Sequence, residues 1–170
     1  MKKISKTPTF ILFILSISPI IFTEYNPKYF AIINIFIIIF FALWLYSIVK
    51  MLLNKERKNL AFNERRFDTI LLISLAYSIF LSIYFVITYS SSDVSWVLII
   101  IIPGNFFLGY SYFYLLNYTS RVISSVEVGK LVKFDQYASY FFCLIFFPIG
   151  IWWISPKIKS LLERAPELTQ

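Results

Sequence analysis

Few residues in this chain have types and spacing suited to chemistry, and most of those are neutral. Ser74, Ser78 and Ser82 recur at i, i+4 and i+8, and Gly104, Asn105, Gly109, Ser111 and Tyr112 share one broad helical face after Pro103. Small residues at such spacing let membrane helices approach closely, and Asn or Ser can hydrogen-bond across the contact. Ordinary helix packing is the simpler reading. The same groups, joined by Asn34, would serve as a neutral pore lining, to which a carbonyl freed by Pro103 could add a ligand.

Catalytic sets are incomplete. The chain has no His, which removes the commonest general base and metal ligand. Serine chemistry needs an activating base, and no Lys lies inside the long uncharged runs. An aspartyl dyad needs two buried carboxylates, whereas Asp68, Asp93 and Asp135 stand at the edges of those runs. No metal-ligand cluster and no glycine-rich phosphate loop is legible. Cys143 is the single cysteine, so no intrachain disulfide forms. Tyr110, Tyr112 and Tyr114 scatter around a helix and suit packing, with Tyr118 as an interface anchor. No enzyme activity, cofactor or metal is expected; a lipid-handling enzyme is the outlying alternative.

The charges reveal the elements that must position these residues. Tyr29–Val49, Thr69–Ser92 and Val94–Ser120 contain no Asp, Glu, Lys or Arg. About 20 mostly apolar helical residues cross a bilayer, and Thr7–Thr23 comes close to that length. With 59% hydrophobic and 21% aromatic residues, the chain has little material for a soluble core. The expected fold is an all-α integral membrane protein, one membrane domain over 1–170, with four spans near 8–23, 29–49, 69–90 and 95–118. Lys2, Lys3 and Lys6 before Phe10–Phe22 imitate a secretory signal, but Pro19 directly follows the small residues Ser16 and Ser18. A proline there argues for a retained first helix.

Lys and Arg accumulate in cytoplasmic segments. They gather at the amino terminus, then at Lys50, Lys55, Arg57, Lys58, Arg65 and Arg66, then at Arg121, Lys130 and Lys133. Glu24–Lys28 has one basic residue, and Ser90–Ser95 has only Asp93. Four alternating spans with a cytoplasmic amino terminus satisfy every segment. Asp68 and Asp135 read as helix N-caps.

Residues 136–154 are just long enough for a fifth span, but Pro148 and Gly150 interrupt them. Crossing would also carry Lys157, Lys159 and Arg164 outside. A re-entrant segment bent at Pro148 is the favoured reading, with a short fifth span as the alternative. An interfacial helix over 156–165 would follow, starting at Ser155–Pro156 and turning Ile158, Leu161, Leu162 and Ala165 to the apolar side. Lys50, Lys55, Arg57, Lys58, Arg65, Arg66, Lys130, Lys133, Lys157 and Lys159 are expected to meet anionic lipid or a partner. The net charge of +7 flanks apolar spans, so nucleic acid is not an expected ligand.

Ser125-Val126-Glu127-Val128-Gly129, Phe134-Asp135-Gln136-Tyr137, Phe146-Phe147-Pro148-Ile149-Gly150-Ile151-Trp152-Trp153 and Pro156-Lys157-Ile158 carry a resemblance. Together they resemble the ending of a group of small, uncharacterised bacterial multi-pass membrane proteins. The resemblance covers roughly the last quarter of the chain and implies a bacterial inner-membrane setting. The expected role is non-enzymatic: a subunit, scaffold or regulator of a membrane complex, acting through helix association with a membrane-protein partner or itself. The alternative is a homo-oligomeric pore, permease or membrane-disrupting effector.

Overall fold

Long apolar runs with no charge to hydrate satisfy their backbone most readily as helices, because every internal hydrogen bond then closes within the segment. The computed structural model describes residues 27–55, 60–88 and 98–164. Those residues form five helices: α1 (Pro27–Lys55), α2 (Glu64–Thr88), α3 (Leu98–Val128), α4 (Phe134–Ile145) and α5 (Phe147–Arg164). Two of them, α1 over Ile35–Asn54 and α2 over Glu64–Tyr84, are long and apolar enough to span a membrane. The expected spans 29–49, 69–90 and 95–118 overlap α1, α2 and α3, while 8–23 lies outside the described residues.

Helix ends differ from the expected ones for a physical reason. Pro27 opens α1, where its missing N–H costs nothing. The cap of α2 is Asn63, whose Oδ1 accepts the Arg66 N–H at 3.0 Å. Asp68 therefore lies one turn inside α2 and is not its cap. A charge-free run marks the apolar length of a helix, whereas the helix itself continues into the polar residues beyond it. The same holds for Asp135, which falls in the first turn of α4. Lys133 holds the extended cap position there, and its N–H donates to Gln136 Oε1 at 3.2 Å. Between these helices, Gly129 ends α3 with φ of 73°, a left-handed turn suited to glycine.

The three long helices pack up–down–up. Tyr77 meets Phe107 while Phe67 stacks on Tyr118 with ring centroids 4.8 Å apart, so α2 and α3 run in opposite directions. The core draws Leu45, Val49 and Leu52 from α1 at helical spacing, Phe67 from α2, and Leu116, Val122 and Ile123 from α3. Leu144 of α4 and Ile154, Ile158 and Leu161 of α5 complete it. Thr119, Ser120, Ser124 and Ser125 are buried beside these residues on α3. Thr119 and Ser120 donate to the Leu115 and Leu116 carbonyls of their own helix. Ser124 and Ser125 bond the Gln136 carbonyl and the Val132 N–H. Small hydroxyl side chains let neighbours pack closely against α3 without leaving polar atoms unpaired.

The carboxy-terminal bend is at Phe146, not Pro148, and no new helix starts at Ser155–Pro156. Pro148 is the second residue of α5, where a missing N–H is tolerated, so it starts a helix and does not bend one. Pro156 lies inside α5; Ile154, Ile158 and Leu161 are buried on either side of it and hold the helix continuous. Gly150 makes the tight bend feasible. A Cβ at Gly150 would stand 1.6 Å from the Cys143 carbonyl oxygen.

Gly150→Ala is expected to destabilise the protein by roughly 1–3 kcal/mol through overpacking. Gly109→Ala, with nothing within 4 Å of its Cβ, should leave stability unchanged or slightly raised. Thermal unfolding of both variants in one detergent checks the contrast.

Candidate functional site

Charged side chains gather where α1 ends, α2 begins and α3 ends. Lys50 in the last turns of α1 lies between Glu64 and Asp68, which are four residues apart on α2. Its Nζ is 2.8 Å from Glu64 Oε2 and 2.9 Å from Asp68 Oδ2, and lies 5.6 Å from the Tyr46 ring centre. Lys50 stands five residues before the end of α1 and Asp68 four residues after the start of α2, which sets them level in an antiparallel pair; the Lys50 side chain also reaches Glu64, one turn nearer the connector. At the far end of α3, Glu127 bonds both Lys157 and the Tyr140 hydroxyl.

Two of the residues expected to meet lipid or a partner have carboxylate partners on other helices. Lys50 and Lys157 are engaged within the bundle. Arg65, Arg66, Lys130, Lys133 and Lys159 are exposed, with Lys159 3.9 Å from Glu163. The side chains of Lys55, Arg57 and Lys58 lie outside the described residues.

The neutral polar residues do not form one lining. Ser74 and Ser78 border a cleft of about 390 Å³ between α1, α2 and α3, whose other walls include Ile37, Phe41, Leu45, Leu75, Leu108 and Tyr112. Ser74 donates to the Ile70 carbonyl at 2.6 Å, and Ser82 to that of Ser78 at 3.0 Å. A space so walled suits an apolar body better than water or an ion. Gly104 instead marks the α2–α3 contact: a Cβ there would lie 1.5 Å from the Tyr77 hydroxyl. Ser111 is fully buried, and its hydroxyl has no partner among the described residues. Asn105 and Gly109 are exposed on the outside of α3, away from the cleft. The Asn34 side chain lies outside the described residues.

A second cavity, of about 310 Å³, opens at the charged end. The connector before α2, the first turn of α2 and the face of α3 from Tyr114 to Arg121 enclose it. Arg66 lies 5.4 Å from the Tyr114 ring centre, and Arg121 lies 6.0 Å from that of Phe62. Asn117 Oδ1 accepts the Tyr137 hydroxyl at 3.2 Å. The Tyr118 hydroxyl is buried without a partner among the described residues. Asn117 and Arg121 do not stand out as a pair in the sequence. The available signal was that Tyr114, Asn117, Tyr118 and Arg121 recur at i, i+3, i+4 and i+7 on one helical face.

Among the described residues, no group of three His, Cys, Asp or Glu is placed to hold a metal ion. Compared with protein-family models, curated proteins and solved structures, the chain matches none.

Lys50→Met is expected to lower stability by on the order of 1 kcal/mol, because two carboxylates lose their shared cation. Adding Asp68→Asn to Lys50→Met should cost less than the two single effects together. A double-mutant cycle by thermal unfolding reads this coupling, and strict additivity would refute it.

Proposed function

We propose that this is a non-enzymatic multi-pass protein of the bacterial inner membrane that acts through helix association. Its place would be as a subunit, scaffold or regulator of a membrane complex. The membrane setting is supported by the exterior: Phe36, Leu43, Leu72, Phe80, Ile87 and Phe106 are exposed apolar side chains on three adjacent helices. In water such a surface would drive aggregation; in lipid it is the expected exterior. Among the described side chains the charged groups collect at one end, and the positive-inside bias assigns that end to the cytoplasm. On this reading 8–23 and 95–118 supply two further crossings, and the amino terminus is cytoplasmic. The contact of Lys157 with Glu127 favours a carboxy-terminal segment that enters and returns over one that crosses.

The observation that carries the association reading is the outward stripe of α3. Ile102, Asn105, Phe106, Gly109 and Phe113 are all exposed and fall on one side of the helix. The Asn105 side chain makes no hydrogen bond among the described residues, and it lies near the middle of the charge-free run 94–120. An amide facing hydrocarbon is costly unless another helix pairs with it, and Gly109 one turn on provides the notch for close approach. The occupant is therefore a membrane helix with a polar or small-residue face, from a partner protein or a second copy.

Disulfide or thiol crosslinking in native membranes tests this with Ile102→Cys in a Cys143→Ser background. Adducts are expected at that position, with few from Ile87→Cys on α2, and Gly109→Leu should abolish them. Equal adducts at both positions, or none at Ile102→Cys, would sink the proposal.

A further inference from the structure

We propose that the cavity between the α1–α2 connector, α2 and α3 is a binding site for a phosphate-bearing anion, held by Arg66, Arg121, Asn117 and Tyr118. Both guanidinium groups border the same cavity, and neither has a carboxylate within ion-pair distance among the described residues. Glu64 and Asp68, each two residues from Arg66, both pair with Lys50. Two unneutralised arginines on one small cavity repel each other, and an anion between them removes that cost. Planar guanidinium forks match phosphate oxygens in pairs.

The neutral groups complete a set of donors. Tyr118 is only 8% exposed, yet its hydroxyl has no partner among the described residues, a state that a buried polar atom leaves when an acceptor arrives. Asn117 spends its carbonyl oxygen on the Tyr137 hydroxyl, which leaves its NH₂ available to donate. The arginines are held in place by the Tyr114 and Phe62 rings, so little side-chain freedom is lost on binding. The cavity's volume of about 310 Å³ lies at the lower end of small-molecule sites, about 300–1,000 Å³. Phe62 and Leu131 add apolar wall beside the charged donors. That combination fits a phosphodiester or phosphomonoester carrying a short organic substituent. A glycerophospholipid headgroup and a soluble phosphate ester share this chemistry.

The full chain in nanodiscs tests the proposal. One arm compares phosphatidylglycerol retained by the protein against phosphatidylcholine, read by native mass spectrometry. The other titrates inorganic phosphate and glycerol 3-phosphate into phosphatidylcholine nanodiscs, read by thermal shift. Binding in the first arm names a lipid headgroup; binding in the second names a soluble phosphate. Arg121→Gln should weaken either by roughly tenfold or more, the size of one lost charge-assisted hydrogen bond. Tyr118→Phe keeps the ring stack on Phe67 and should weaken binding less, by several-fold. Lys28→Gln removes the same charge at the opposite end of α1 from the cavity and should leave binding unchanged. Helix content by circular dichroism ensures that only folded variants are compared. No binding in either arm would overturn the proposal, as would equal weakening by Lys28→Gln and Arg121→Gln. Neither outcome depends on whether the α3 outer stripe binds a partner helix.

Discussion

Lys50 held between Glu64 and Asp68 is the contact on which the arrangement of the long helices turns. Apolar helices slide against one another at little cost, because one row of Leu and Ile resembles the next. A cation matched to two carboxylates one turn apart does not slide. With α1 and α2 locked at that level, Phe67 comes to the height at which it stacks on Tyr118, and α3 acquires its register. The connector before α2 is then pulled across the end of α3, and Phe62 reaches both Tyr118 and Arg121. The basic cavity is a consequence of that closure.

α3 carries three surfaces of different chemistry on one helix. Its Thr119–Ser125 stretch turns small hydroxyls inward, where they bond helix carbonyls and the start of α4. Its Tyr114–Arg121 face borders the cavity with rings and a guanidinium. Its Ile102–Phe113 stripe faces outward, apolar except for Asn105 and the gap at Gly109. Height along the helix separates the first and last of these: residues about seven apart return to the same side, yet Gly109 and Phe113 are exposed while Leu116 and Ser120, seven residues on, are buried. The second ionic contact, Glu127 with Lys157 and Tyr140, ties the last two helices to the charged end of α3.

Much of this was legible in the residues. Charge-free runs located the long helices because hydrocarbon and buried core both exclude unpaired charge. Helix ends were less legible: Asn63 and Lys133 cap where Asp68 and Asp135 were expected, since several polar residues compete for each cap and packing selects among them. Pro148 is the residue that suggests a bend in the sequence, yet the close approach of Gly150 to Cys143 accompanies it, and only the fold brings those two together. The small-residue stripes are legible in the sequence, but their division is not. Gly104 packs on Tyr77, Ser74 and Ser78 border a cleft, and Asn105 faces out.

The sequence by itself determined which segments are helical and apolar, and on which flanks the charges stand, because those properties are local and additive along the chain. Tertiary structure alone decided which charges are used internally and which stay open. Lys50 and Lys157 find carboxylates, whereas Arg66 and Arg121 converge on a cavity that holds none among the described residues. The distinction is physical. An ion pair depends on distance between groups up to 30 residues apart in the chain, as Glu127 and Lys157 are, and distance is set by packing.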